Sequence, residues 1–253
     1  NIEQSGGSIS ATNANLTAGQ AITQSAGNIT TTNANLTAGQ AIAQTNGSLV
    51  ATNTVAKAGA DLSLASELNK LQNVTVDAQH GNATIVSGND KAGDLNVQTV
   101  GVVGNDLIIT NVANGTDNVI KVDKNLKANG NVTVTNEEAD INVAQGASMS
   151  GANVTLTATK VNVLVNGGEI KATTENINFV AGKDVTINAG GITAARNVPM
   201  QAASNVTMGN GTVKATNGDV SMTAITGAIT MNNGSISASA GNVVANAASN
   251  ETK

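Results

Sequence analysis

Side chains that could carry chemistry are few in this sequence, and they are scattered. It has one histidine, His80, one arginine, Arg196, no cysteine, no tryptophan or tyrosine, and a single phenylalanine, Phe179. Without cysteine there are no disulfides and no thiolate metal ligands. With no second histidine, a transition metal lacks a ligand set. His80, in D-A-Q-H-G-N, reads as part of a surface corner. The acidic loop G-N-D-K-A-G-D, Gly88 to Asp94, offers Asp90 and Asp94 with an asparagine among glycines, a minimal candidate for calcium. It lacks the G-G-x-G-x-D repeat of calcium-binding β-rolls. Glu137 and Glu138 are adjacent, with Asp140 close by. Neighbours on a strand face opposite sides, so this trio does not form the paired carboxylates of glycoside hydrolysis and reads as a solvated turn. No cofactor site is expected.

The elements that would have to position these residues are set by composition and repeats. The chain has 253 residues, a net charge of −5 and only 11% charged residues. A phosphate-neutralising basic patch is missing, which argues against nucleic acid as a partner. No apolar run approaches the ~18 residues of a membrane-spanning helix, and membrane insertion is not expected. The chain starts at Asn1 without Met and reads as a processed protein or an excised segment. Its apolar content is almost entirely Ala, Val, Ile and Leu, which suits a narrow core. Valine and isoleucine alternate with Thr, Asn and Ser, the pattern of half-buried strands rather than of disorder.

Repeats decide the architecture. SGGSISATNANLTAGQAITQ, from Ser5, is followed at once by SAGNITTTNANLTAGQAIAQ, with fifteen of twenty positions identical. A weaker third copy runs from Thr45 to Leu64. The apolar marks are Ile9, Leu16, Ile22, then Ile29, Leu36, Ile42, then Leu49, Val55, Leu62. In the second half three series recur every 20 to 24 residues. They are Leu126, Met149, Ile170, Ile192, Val213, Ile236; then Val132, Val154, Ile177, Val198, Val220, Val243; then Ile141, Val161, Val185, Val206, Ile229. Three short strands per unit of 20–23 residues predict an all-β chain, a three-sheet parallel β-helix (β-solenoid) of about twelve coils, each rising ~4.8 Å. The inward ladders are expected at Ile9, Leu16, Ile22, Ile29, Leu36, Ile42, Ile170, Ile177, Val185, Ile192, Val198 and Val206.

The expected layout is one solenoid over 1–253: regular 20-residue coils over 1–64, irregular coils with protruding loops over 65–123, and regular coils of about 22 residues over 124–253. Gly27, Gly47, Gly168, Gly191, Gly211 and Gly234 precede first strands and are expected at corners with positive φ. S-E-L-N-K-L-Q, Ser66 to Gln72, is a candidate helical turn or an irregular strand, and Pro199 is expected to bulge its strand or distort a corner. Asn-x-Ser/Thr triplets, as at Asn15, Asn35, Asn73, Asn131, Asn153 and Asn205, are what an asparagine followed by an alternating strand spells; glycosylation there is a minor alternative.

The units G-x-I-x-A, N-L-T-A-G-Q, N-V-T-L-T-A and D-V-T-I-N-A-G-G resemble the repeats of filamentous haemagglutinin-like exoproteins, bacterial adhesins exported by two-partner secretion. The resemblance covers essentially the whole chain. It implies a right-handed parallel β-helix shaft, secreted or on a bacterial surface, with a structural and adhesive role and a host or cell-surface receptor as partner. The N-P-N-G-like motif of that family's secretion domain is not found here. Polysaccharide-active enzymes share the fold, but the acids here are unclustered and sugar-stacking aromatics are missing. Ice binding needs a regular Thr array, and the outward column Thr133, Thr155, Asn178, Pro199, Ser221 is irregular. End-to-end stacking into a filament is the alternative structural role, since exposed coil edges template further pairing.

Overall fold

The computed structural model describes residues 1–88, 93–112 and 117–248. The described residues form 25 strands, all paired in parallel, and no helix. One ladder runs the length of the molecule: Ile2, Ile22, Ile42, Leu62, Ala83, Leu107, Val132, Val154, Ile177, Val198, Val220 and Val243, with Ile177 and Val198 aligned by the Phe179↔Met200 register rather than paired themselves. These rungs define about 11 turns of a β-solenoid, one fewer than the coil count expected from the sequence. At a rise of ~4.8 Å per turn the axis is roughly 50–55 Å long.

Two further ladders complete the core. One contains Ala14, Ala34, Thr54, Val74 and Val97, then Val122, Val143, Val165, Ile187, Met208 and Met231. The other begins at Leu16, Leu36, Ala56, Val76 and Thr99 and resumes at Leu126, Met149, Ile170, Ile192, Val213 and Ile236. The Thr99 hydroxyl splices the two runs: it accepts from the Lys127 N–H (3.1 Å) and donates to the Asn125 carbonyl (3.3 Å). In the N-terminal coils both ladders lie within single long strands such as Ile22–Ala38; beyond Thr99 they occupy separate strands such as Ile120–Val122 and Asn125–Lys127, except in Val163–Ala172 and Val185–Ala194, which carry both.

Several expectations are corrected. The Ile9–Ile29–Leu49 column is a fourth side of the N-terminal coils, not the start of the Leu126 series. It dies out beside Leu71, and the first-sheet strand ends Ser87, Asn111 and Asn136 turn the corner instead. Val161 is not a rung: Ile141 pairs with Val163, two residues on. Gly27 (φ 83°) and Gly47 (φ 81°) do have positive φ, but Gly168, Gly191, Gly211 and Gly234 do not; Gly167 (φ 135°) and Gly190 (φ 101°) supply it at the Gly168 and Gly191 corners. The other glycines are required by contact. A Cβ on Gly168 would lie 2.5 Å from Val143 Cγ1, and one on Gly211 would lie 2.6 Å from Ile187 Cγ2.

Ser66 to Gln72 contains no helix. It makes one turn in which the Asn69 N–H bonds the Ser66 carbonyl (3.1 Å) and the Leu68 N–H bonds the Ser66 hydroxyl (3.2 Å). Pro199 causes no bulge. Its strand, Val198–Ala202, pairs fully with Val220–Ala224, but on the other side pairing starts only at Phe179↔Met200, because proline has no N–H to offer.

Apart from those in the first coil, the expected inward residues are buried: Ile22, Ile29, Leu36, Ile42, Ile170, Ile177, Val185, Ile192, Val198 and Val206. Ile9 and Leu16 are partly buried, since coil one has no described neighbour on its outer side. Phe179 is buried in the core, and aliphatic side chains with a few methionines make up the rest of its apolar lining.

Candidate functional site

Each described polar residue singled out by the sequence is tied to a neighbouring coil or lies at the surface. Asp90 lies outside the described residues. Asp94 forms an ion pair with Lys121, and its Oδ1 accepts the Val119 N–H (3.2 Å). Among the described residues, no three His, Cys, Asp or Glu side chains gather closely enough to hold a metal ion. Glu137 and Glu138 lie in bends just past the strand Val132–Asn136, and the trio is more than a solvated turn. Glu138 pairs with Lys160 (2.5 Å), and Asp140 Oδ1 accepts both the N–H and the Nδ2 of Asn162 (2.9 Å each). Arg196 pairs with Glu175 at 3.4 Å, and His80 is exposed at a bend.

Asp140 and Asp94 belong to a pattern that the sequence does not announce. The residue just before a strand carries an amide or carboxylate whose oxygen accepts the equivalent backbone N–H one coil on. One such column is Asp61, Asn82, Asp106, Asn131, with bonds of 2.8, 3.2 and 2.7 Å. A second is Asp140, Asn162, Asp184, Asn205, ending on the Ala228 N–H (3.0 Å). A third is Asn176, Asn197, Asp219, Asn242. In the first two columns Asp and Asn alternate, for a physical reason. Stacked aspartates would repel at one coil's spacing, whereas an asparagine donates its Nδ2 to the carboxylate beneath it, as Asn205 does to Asp184 (2.9 Å).

Two amide ladders brace the N-terminal coils. On the outside, Asn33, Asn53, Asn73 and Asn96 each donate Nδ2 to the Oδ1 of the asparagine one coil before, starting from Asn13, at 2.8–3.1 Å. On the inside, Gln44 donates to Gln24 (2.8 Å), which donates to Gln4 (3.1 Å). Gln44 also exchanges two bonds with Asn69, which is fully buried (2.8 and 2.7 Å). The inner ladder was not anticipated, although Gln4, Gln24 and Gln44 recur at the 20-residue period, each two places after a first-sheet rung. Sequon asparagines are engaged as well: Asn15 accepts from Asn35 (2.7 Å), and Asn131 and Asn205 are corner brackets.

The arrangement can resist stretching and bending, because backbone ladders, amide ladders and corner brackets all run along the axis. It brings together no nucleophile, base and orienting group among the described residues. No protein-family model, curated protein or solved structure matches this chain.

Proposed function

We propose that this chain is a structural and adhesive rod, a shaft segment of a secreted bacterial surface adhesin or exoprotein. The observation that carries this reading is the ladder from Ile2 to Val243, braced at successive corners by side-chain bonds to the backbone of the next coil. Length in such a body scales with coil number and not with core diameter, so it projects distance at little bulk. The secreted, bacterial and adhesive parts of the proposal rest on the likeness of the repeats to haemagglutinin-type exoproteins. The test has two readouts. Small-angle scattering should give a rod roughly 50–55 Å along its axis, and beads coated with the chain should attach to host cells above albumin-coated beads. A compact sphere overturns the rod. Attachment equal to albumin overturns adhesion.

End-to-end stacking of copies is the second reading. It is favoured by the last described coil, which leaves Met231 and Val243 about half exposed (47% and 49%) for a following coil to bury. Against it, a first-sheet strand of three residues, Ile42–Gln44, becomes one of five, Val243–Ala247, and the Ile9 side disappears. The chain spreads that change over several coils; a junction between copies would have to make it in one step. Sedimentation across concentrations decides: growth of fibres supports stacking, and a strictly monomeric rod removes it.

A further inference from the structure

One outward column of the third sheet carries an unpaired cation at every second coil. Along the strand register it reads Lys127, Ser150, Lys171, Thr193, Lys214, Ser237. Each sits between two inward residues of its strand, so all six point away from the core. Lys171 and Lys214 are exposed and Lys127 is half-buried. None of the three has an ion-pair partner among the described residues, whereas Lys121, Lys160 and Arg196 each do. The parallel outward column on the same strands is Asn125, Ser148, Glu169, Gly191, Thr212, Ser235, with one carboxylate. In a chain of net charge −5, these two columns together carry three lysines and one carboxylate.

We propose that this face binds a linear anionic polysaccharide bearing one carboxylate per disaccharide, laid along the rod axis. Two coils separate successive lysines by roughly 10 Å, twice the ~4.8 Å strand spacing. An extended β-linked glycan advances by a distance of that order per disaccharide, so one carboxylate per repeat meets each lysine in turn. The Ser and Thr hydroxyls at the intervening rungs, Ser150, Thr193 and Ser237, then lie opposite the uncharged sugar, where they can exchange hydrogen bonds with its hydroxyls. A shallow hollow of about 300 Å³ between Lys127 and Lys171, lined also by Ser148, Ser150, Glu169 and Thr193, gives a sugar ring room to sit. Competing polyanions fit less well. An extended acidic peptide repeats its same-side carboxylates every ~6.8 Å, two residues of ~3.4 Å each, out of step with the lysines. Single-stranded nucleic acid needs aromatic platforms, and the lone Phe179 is buried. The rod reading does not depend on this surface, and its scattering test stands apart.

The experiment measures binding of the folded chain to a hyaluronan-type polymer of alternating glucuronate and N-acetylhexosamine, with dextran, poly-glutamate and single-stranded DNA as comparators. Expected are saturable binding to the uronate polymer above all three comparators, and a tenfold or greater loss in the triple variant Lys127→Gln, Lys171→Gln, Lys214→Gln. Binding should weaken as salt rises, because salt screens attraction between exposed charges. The control variant Lys160→Gln, Lys183→Gln removes two charges away from this face and should bind as the parent does. Circular dichroism and melting confirm that both variants fold. The proposal is overturned if the triple variant binds like the parent, if the control loses as much, or if poly-glutamate or DNA binds as tightly as the uronate polymer.

Discussion

Replacing Asn69 by leucine should damage this rod far more than a surface-coil residue would suggest. Asn69 is fully buried, and its side chain is the hub of the inner amide ladder. Its Oδ1 accepts the Leu49 N–H (2.8 Å) and Gln44 Nε2 (2.8 Å); its Nδ2 donates to Gln44 Oε1 (2.7 Å) and reaches the Val86 carbonyl (3.2 Å). Leucine has a similar shape and no polar atoms. It would orphan the Leu49 N–H, at about 1–3 kcal/mol, and strip two bonds from Gln44, at about 0.5–1.5 kcal/mol each. Gln44 would keep its bond to Gln24 Oε1 and its contact with the Ser66 N–H (3.3 Å). Added apolar burial returns about 1–2 kcal/mol, leaving a net loss of about 2–4 kcal/mol. Guanidinium unfolding measures the total, and amide hydrogen exchange at Leu49 locates it. The double variant Gln44→Leu, Asn69→Leu should lose less than the sum of the singles, with a coupling of about 1–3 kcal/mol, because each single already removes the two bonds that the amides exchange. A loss below about 1 kcal/mol with unchanged protection at Leu49 would refute the hub.

Three further outcomes separate the other devices. Gly190→Ala should destabilise by several kcal/mol, since its φ of 101° is strained for alanine and its Cβ would strike the Gly168 carbonyl; Gly146→Ala, at φ 81° with open space around it, should cost only the ~1–2 kcal/mol of left-handed strain. Thermal melts of the two side by side test the distinction, and equal losses contradict it. Asn205→Asp would place two carboxylates at successive corners and remove the Nδ2 donor to Asp184, so a loss of about 1–2 kcal/mol is expected, partly recovered in 1 M salt; a salt-independent loss would mean that repulsion plays no part. Pro199→Thr restores a backbone N–H beside Ile177–Ala181 and should raise hydrogen-exchange protection at the start of Val198–Ala202, with a melting point unchanged or slightly higher; lower protection there would show that proline is not what interrupts the pairing.

The alternating stretches 73–76, 83–86, 94–97, 106–110 and 118–122 read as strands even where spacing is uneven, and they lie in or overlap Lys70–Ala78, Ala83–Ser87, Leu95–Thr99, Leu107–Asn111 and Ile120–Val122. Less legible was which recurrence stacks on which. V-N-V-L-V, Val161 to Val165, offers three valines two residues apart, all on one face. Counting from Ile141 favours the first; the coil below selects Val163. Asp94 looked like a calcium ligand because an acidic glycine loop is all that the local sequence shows. Its tie to the Val119 N–H spans 25 residues, so no window of sequence contains it.

By itself the sequence determined the alternation of inside and outside, the parallel coil and the slender aromatic-poor core. Those follow from backbone geometry within about six residues: an extended chain must alternate its faces, and short strands at a constant period must stack. The tertiary structure alone decided the phase of the stacking, the loss of the Ile9 side after Leu71, the splice at Thr99, the buried Gln–Asn chain and the line of unpaired lysines. Each of these depends on the circumference of a whole coil, which sums every corner over some twenty residues. A shift of one or two residues at one corner leaves the pattern of each strand intact and changes every partner above it.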